Sequence, residues 1–141
     1  MIKGLFGINI AVKDLDAAAK KYSDVFGVKP IPYTSEEIAV PGLKGVRLPI
    51  GNVTITLLAS DDPNTPVAKF VENRGEGIFL VNVEVTDIEK DMKDLAAKGV
   101  QILSDKPISA ASGKVAYGHP KSMHGVQIEL FELAPGWPPE R

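Results

Sequence analysis

Two separate stretches of this sequence each recur 73 residues further along the chain. Residues 8–12, INIAV, fall on residues 81–85, VNVEV, and residues 53–57, VTITL, fall on residues 126–130, VQIEL. Two separate segments that agree on one offset are hard to obtain by chance. The repeat indicates that the chain contains two copies of one supersecondary unit, and this constrains the fold more than any single element does.

Each copy predicts a strand, then a helix, then further strands. The first strands are predicted at 6–12 and 79–85, and each is followed by an aspartate, Asp14 or Asp87, that is suited to capping a helix. A glycine ends each predicted helix. Later strands are predicted around 45–50, 53–59, 114–118 and 125–132, and a short helix at about 65–73.

The repeat also predicts the organisation of the chain, which is long enough for one domain with a core of its own. The prediction is a single domain over 1–141, with module 1 at about 1–61, a linker helix segment at about 62–77, module 2 at about 78–134 and an irregular, proline-rich tail at 135–141.

Side chains alternate between two faces along each predicted strand. One face is aliphatic throughout, as packing against amphipathic helices requires. The opposite face is mixed, and by this counting it carries Gly7 and the polar residues Asn9, Asn82, Thr56, Gln127 and Glu129. A sheet covered by helices on one side can expose its other side to a ligand or to water. The mixed face is therefore either the lining of a binding cleft or a solvated surface.

Composition and charge exclude several classes of protein. The net charge of −2 and the lack of a basic run argue against a nucleic-acid or anionic-membrane surface. The chain has no cysteine, which excludes disulfides, thiolate chemistry and zinc–thiolate sites. The N-terminus is too short and mixed for a signal peptide, and no apolar run could span a bilayer. We therefore expect a small-molecule ligand, no nucleic-acid or membrane partner, and a cytoplasmic location.

A resemblance to a known family is carried by four stretches: IAVKDLDAAAKKYSDVFGVKP, PVAKFVENRGEGI, VEVTDIEKDMKDLAAKGV and GHPKSMHGVQIELFE. They resemble the vicinal oxygen chelate superfamily of glyoxalases, bleomycin resistance proteins and dioxygenases, and within it methylmalonyl-CoA epimerase most closely. The resemblance implies an α+β fold in which two tandem βαβββ modules form a curved mixed sheet around a ligand cleft, and the repeat supports this independently. It also implies a homodimer.

Metal-dependent members of that superfamily hold a divalent ion with four side chains from cleft-facing strand positions. In this chain the resemblance places those positions at Gly7, Thr56, Leu80 and Glu129, and only Glu129 matches the ligand type. One carboxylate does not make a tight transition-metal site. The expectation is therefore no cofactor, with a divalent metal improbable, although a rebuilt site from Glu129, Glu84 and either histidine, His119 or His124, stays open.

Glu129 is the candidate catalytic residue, because a carboxylate whose pKa is raised by burial can act as a general base. Glu84 is a second candidate for that role. Amides on the same face can donate hydrogen bonds to a developing oxyanion, and the candidates are Asn9, Asn82 and Gln127.

The remaining candidate binding residues come from scattered positions. Arg47, in the strand-like stretch GVRLPIG, is either an anchor for a carboxylate or phosphate of a ligand or a surface cation on an edge strand. Tyr117 supplies a stacking surface or belongs to the core. Thr56 lies on the predicted cleft face. His124 precedes the last strand by two residues and can reach the cleft rim.

Three functions are compatible with these residues. The first is a metal-independent isomerase or lyase that acts on a small carbonyl, carboxylate or acyl-CoA compound. The second is a non-catalytic binding or resistance protein like those of the bleomycin-resistance branch. The third is a metal-dependent methylmalonyl-CoA epimerase with an unusual site.

Overall fold

The computed structural model describes all residues from 1 to 141 and contains eight strands, three α-helices and two 3₁₀ turns. The strands are β1 (Ile2–Ala11), β2 (Ile31–Pro32), β3 (Leu43–Ile50), β4 (Val53–Ser60), β5 (Gly77–Val85), β6 (Ile108–Ala110), β7 (Gly113–Gly118) and β8 (Ile128–Leu133). The helices are α1 (Leu15–Phe26), α2 (Pro66–Arg74) and α3 (Ile88–Ala97), and the 3₁₀ turns are Ser35–Glu37 and Pro120–Met123. None of the helices is long and apolar enough to cross a membrane.

All eight strands form one mixed sheet in the order β2-β3-β4-β1-β5-β8-β7-β6. Each half of it is a βαβββ module, and antiparallel pairing of β1 with β5 joins the two halves. The predicted α+β fold of two tandem modules is confirmed. The short edge strands β2 and β6 and the two 3₁₀ turns were not predicted, because two or three residues carry too little periodicity to be recognised.

The strand registers reproduce the sequence repeat. In the parallel pair β1 and β4, Asn9 lies opposite Thr56, and in the parallel pair β5 and β8, Asn82 lies opposite Glu129. Both members of the second pair are 73 positions after their counterparts in the first. The four residues are therefore equivalent positions in two copies of one ladder.

Helices α1 and α3 cover the aliphatic face of the sheet. In module 1, Ile10, Leu48 and Leu57 pack against α1, and in module 2, Val85 and Leu130 pack against α3. Burying side chains of this size stabilises the fold by roughly 1.5–3 kcal/mol each. Because this face is filled, the polar side chains of the same strands are directed to the opposite, concave face.

Each module's helix begins at the predicted aspartate. The Asp14 carboxylate accepts a hydrogen bond from the Ala17 amide at 3.0 Å, and the Asp87 carboxylate accepts one from the Lys90 amide at 3.2 Å. These bonds satisfy amide groups that have no partner within the helix. Gly27 ends α1 in the left-handed conformation, with φ of 66°.

Replacing the α3 cap is expected to lower the free energy of unfolding. The substitution Asp87→Ala removes the acceptor of the Lys90 amide, and the loss of such a cap costs about 1 kcal/mol. Urea denaturation measures the change, with Asp105→Ala, at an exposed loop aspartate, as the control. Equal stabilities of the two variants would contradict a capping role for Asp87.

Strand β1 is irregular around Gly7, and this corrects one sequence prediction. Its register with β5 shifts between Leu5 and Gly7 and again between Asn9 and Ile10. Phe6 and Asn9, three positions apart, both line the concave face, so strict alternation does not hold here. The prediction that Gly7 shares the open face with Asn9 is wrong, since a Cβ at Gly7 would point into β4 and overlap the Thr54 carbonyl oxygen.

Candidate functional site

A buried amide and a buried carboxylate form the centre of the concave face. The Asn82 side-chain amide donates a hydrogen bond to the Glu129 carboxylate at 2.7 Å, and the two residues are 2% and 6% exposed. Burial raises the pKa of Glu129 to about 7, although the Asn82 hydrogen bond and the neighbouring Tyr117 phenol both favour the charged form. The other amide atom, Asn82 Oδ1, is buried without a hydrogen-bond partner.

A small cavity of about 70 Å³ opens onto this pair. Asn9, Thr56, Asn82 and Glu129, the four equivalent positions of the repeat, all line it. Apolar side chains supply much of the remaining wall, and these include Phe6, Leu58, Val115 and Phe131. A concave apolar site with a few convergent polar groups is the usual form of a small-molecule site.

Two tyrosines face the cavity with their phenol groups. The Tyr33 hydroxyl lies 3.2 Å from the Thr56 hydroxyl, and burial raises the pKa of Tyr33 to about 12. Burial and the neighbouring Glu129 carboxylate also raise the pKa of Tyr117. Both phenols therefore keep their protons near neutral pH and are available as hydrogen-bond donors.

Arg47 is buried beside this cavity and already has an anionic partner. It is 2% exposed, and its Nε and Nη2 atoms donate to the two carboxylate oxygens of Glu140 at 2.8 and 2.9 Å. Its guanidinium carbon lies 5.4 Å from the ring centre of Tyr33 and 5.1 Å from that of Trp137. The alternative of a surface cation on an edge strand is therefore wrong.

Three other predicted residues lie away from the cavity. Glu84 is buried, but its carboxylate is paired with Lys3 at 3.1 Å and with Arg141 at 2.9 Å, so it is not a free base facing the ligand. Gln127 is half-buried next to β8 and does not line the cavity. His124 is exposed and ends a 3₁₀ turn with φ of 55°, outside the cavity wall.

Three residues that the sequence did not single out belong to the site. Tyr33 and Glu37 line the cavity and come from the segment between α1 and β3. Trp137, from the C-terminal tail, does not line the cavity but stacks on its wall residues Phe6 and Tyr33. Trp137 Nε1 donates to the Glu37 carboxylate at 2.6 Å. The one available signal was that Trp137 is the only tryptophan of the chain, because such a large amphipathic side chain seldom lies free in solvent.

The residues at the four family ligand positions do not fit a four-ligand metal site. Gly7 has no room for any side chain, Leu80 is aliphatic and 2% exposed, and Thr56 bonds to Tyr33. No group of three or more His, Asp or Glu side chains is placed to hold an ion, which also leaves the rebuilt site from Glu129, Glu84 and a histidine without its geometry. His119 instead caps its turn, accepting from the Lys121 amide at 3.0 Å.

Comparison with known proteins finds similar epimerases. The chain is 33% identical over 142 residues to the ethylmalonyl-CoA/methylmalonyl-CoA epimerase of Cereibacter sphaeroides, covering 94% of this chain and 100% of the relative. The structure of methylmalonyl-CoA epimerase from Mycobacterium tuberculosis matches with a TM-score of 0.85 at 30% identity, covering 95% and 90% of the two chains. A methylmalonyl-CoA epimerase solved with methylmalonyl-CoA and NH4+ matches with a TM-score of 0.86 at 28% identity, covering 95% and 96%.

These relatives overturn the expectation that a divalent metal is improbable for this protein. That expectation rested on counting ligands at four strand positions, yet the similar proteins are methylmalonyl-CoA epimerases, and one of them was solved with its substrate and the cation NH4+. The count shows that the family's four-residue set is not reproduced here.

A family model agrees with the resemblance predicted from the sequence. The model described as Glyoxalase/Bleomycin resistance protein/Dioxygenase superfamily matches residues 7–117, well over half of the chain. This range contains α1, α2 and α3 and most of the strands around the cavity. The chain therefore belongs to the glyoxalase, bleomycin resistance protein and dioxygenase superfamily.

Proposed function

We propose that the protein is an isomerase that removes and returns the proton on the carbon next to a carbonyl group of an acyl-CoA. The observation that carries the proposal is Glu129, a carboxyl buried in the concave face whose pKa is raised to about 7. A general base works best when its pKa lies near the operating pH. The similar proteins named above, epimerases of acyl-CoA compounds, support the substrate class.

The groups around Glu129 suit the movement of a proton. In the first step the carboxylate takes the proton from the α-carbon, and the electron pair of the C–H bond moves toward the carbonyl oxygen. A proton from water that adds to the opposite face of the same carbon gives the isomer, and Glu129 then releases the proton it took to water, which restores the carboxylate. Asn9 and the phenols of Tyr33 and Tyr117 line the same cavity, where their N–H and O–H groups can donate to that carbonyl oxygen.

The substitution Glu129→Gln is expected to slow exchange of the α-proton by about 100-fold or more, the usual contribution of a general base. Glutamine keeps the shape of the side chain and can still accept from Asn82, but it cannot take a proton. The protein is incubated with methylmalonyl-CoA in D₂O, and deuterium at C2 is followed by mass spectrometry. Glu72→Gln, at an exposed glutamate of α2, is the control.

The metal content of each preparation is measured in parallel, so that a change in bound metal is not mistaken for loss of the carboxylate. Unchanged exchange in Glu129→Gln would remove Glu129 from the reaction. If methylmalonyl-CoA raises the melting temperature while the wild-type protein incorporates no deuterium, the proposal fails in favour of a binding protein without catalysis.

A further inference from the structure

The last eight residues of the chain lie across the concave face. Trp137 stacks on Phe6 and Tyr33 with ring centres 5.9 and 6.0 Å apart, and it contacts Phe131 at 5.6 Å. Arg141 pairs with Glu84 at 2.9 Å. This segment contains no helix or strand, so side chains hold most of it in place.

The Arg47–Glu140 pair is asymmetric. Arg47 is fixed in the sheet by β3 and its side chain is 3% exposed, whereas Glu140 lies in a segment without helix or strand and its side chain is 27% exposed. Segments outside helices and strands are more mobile than the elements they adjoin. Arg47 also has a buried nitrogen, Nη1, with no hydrogen-bond partner, 3.8 Å from a Glu37 carboxylate oxygen. The guanidinium is thus a built anion site, and its present occupant, Glu140, is the more exposed and less firmly held partner of the pair.

The tail packs against a wall that two small cavities share. The cavity at Glu129 has about 70 Å³, and a second cavity of about 50 Å³ is bounded by Pro138 and Glu140. Phe6 lines both cavities, and Trp137 is stacked on it. Ligand sites usually have roughly 300–1,000 Å³. No tail residue lines the cavity at Glu129, but movement of Trp137 off Phe6 would free a wall shared by both cavities and make room for a ligand larger than a few atoms.

We propose that Arg47 binds a carboxylate group of the ligand, and that the Glu140 carboxylate of the tail occupies this site until the ligand displaces it. The guanidinium fork matches a carboxylate with two parallel hydrogen bonds, as Glu140 demonstrates within the chain. Displacement exchanges one carboxylate for another, so the buried cation stays neutralised throughout. It also carries Trp137 away from Phe6 and joins the two cavities. The proposal deepens the proposed function by naming a second group on the substrate, but carboxylate binding at Arg47 is measured without turnover.

The test removes the charge of Glu140, the group that competes with a ligand carboxylate for Arg47. In Glu140→Gln the tail keeps its length but loses its charge, so malonate is expected to bind about 10-fold or more tighter than to the wild-type protein, because affinity falls with the fraction of sites that are available. Binding is measured by calorimetry at constant ionic strength. Glu89→Gln, at an exposed glutamate of α3, is the control and keeps wild-type affinity.

The only tryptophan reports the movement of the tail directly. Malonate is expected to shift Trp137 emission to longer wavelength as the ring leaves Phe6 and Tyr33. Arg47→Lys in the Glu140→Gln background keeps the charge without the fork and is expected to weaken malonate binding by about 10-fold or more.

Comparing malonate with inorganic phosphate shows whether the site at Arg47 prefers a carboxylate or a phosphate. Malonate should bind more tightly than inorganic phosphate. Tighter binding of phosphate, unchanged malonate affinity in Glu140→Gln, or malonate binding with unchanged tryptophan emission would each overturn the proposal. A failure to exchange deuterium would leave these results unaffected and would count against the proposed isomerase alone.

Discussion

Replacing Gly7 with alanine is expected to lower the free energy of unfolding by about 4 kcal/mol or more, at the upper end of what single substitutions cost. The added Cβ would overlap the carbonyl oxygen of Thr54 and lie 2.7 Å from its carbonyl carbon. Both atoms belong to the backbone of β4, which cannot rotate away as a side chain can. Relief requires β1 and β4 to separate, and this disrupts the parallel ladder at the centre of module 1.

Urea denaturation followed by circular dichroism measures the effect. Gly77→Ala is the matched control, because Gly77 lies in the neighbouring strand β5 and a Cβ there would meet no atom within 4 Å. Alanine is expected to be neutral or mildly stabilising at Gly77, where it reduces the freedom of the unfolded chain. If both variants lose the same free energy, the close approach of Gly7 to Thr54 is not what requires glycine. The same geometry predicts that Gly7→His destabilises the fold rather than supplying a metal ligand.

The second large effect is a pH dependence of stability that comes from Glu129. Its pKa rises from an ordinary 4.5 to about 7 on folding, mainly because of burial. Below pH 4.5 the carboxyl is protonated in both states and the shift has no effect. Between pH 4.5 and 7 the unfolded state gives up this proton first, so stability falls as pH rises. At 1.36 kcal/mol per pKa unit, the loss above pH 7 is about 3 kcal/mol.

Glu129→Gln is neutral at every pH and is expected to be free of this loss. Its stability advantage over the wild-type protein should therefore grow between pH 4.5 and 7 and then level off near 3 kcal/mol. Denaturation at closely spaced pH values gives the curve. Glu36→Gln, at an exposed glutamate outside the cavity wall, separates this effect from a general response to loss of one negative charge. A pH-independent difference between Glu129→Gln and wild type would mean that Glu129 is not held at a raised pKa.

The sequence was sufficient to predict the two modules because a repeat reports strand pairing as well as strand position. Asn9 and Thr56 occupy one ladder and Asn82 and Glu129 the other, and the constant offset required this equivalence. Counting alternate residues failed at Gly7, because a bulge inserts a residue without any change in the local pattern. A side chain's face can be predicted along a regular strand but not across such an irregularity.

The part of the site that comes from loops and the tail could not be predicted for a different reason. The partner of Arg47 is 93 positions away, and its approach depends on how the completed tail packs across the sheet. Periodicity identifies an element and its buried face, but it carries no information on which distant polar group will neutralise a buried cation. Tyr33 and Trp137 escaped prediction in the same way, because neither belongs to a periodic segment.

The two ladders of the repeat also make the two ends of the cleft chemically different. A duplicated module would create two identical half-sites, and a ligand could then bind in either of two orientations of equal energy. Here one half presents neutral groups, Asn9 and Thr56, while the other presents Asn82 and an ionisable carboxyl, Glu129. Arg47 lies in register with Thr56, so a cation stands on the neutral side. Divergence between the copies has turned a two-fold scaffold into a polarised site. Under the proposed function, the ligand's proton-donating carbon would lie at the second module and its anionic end at the first.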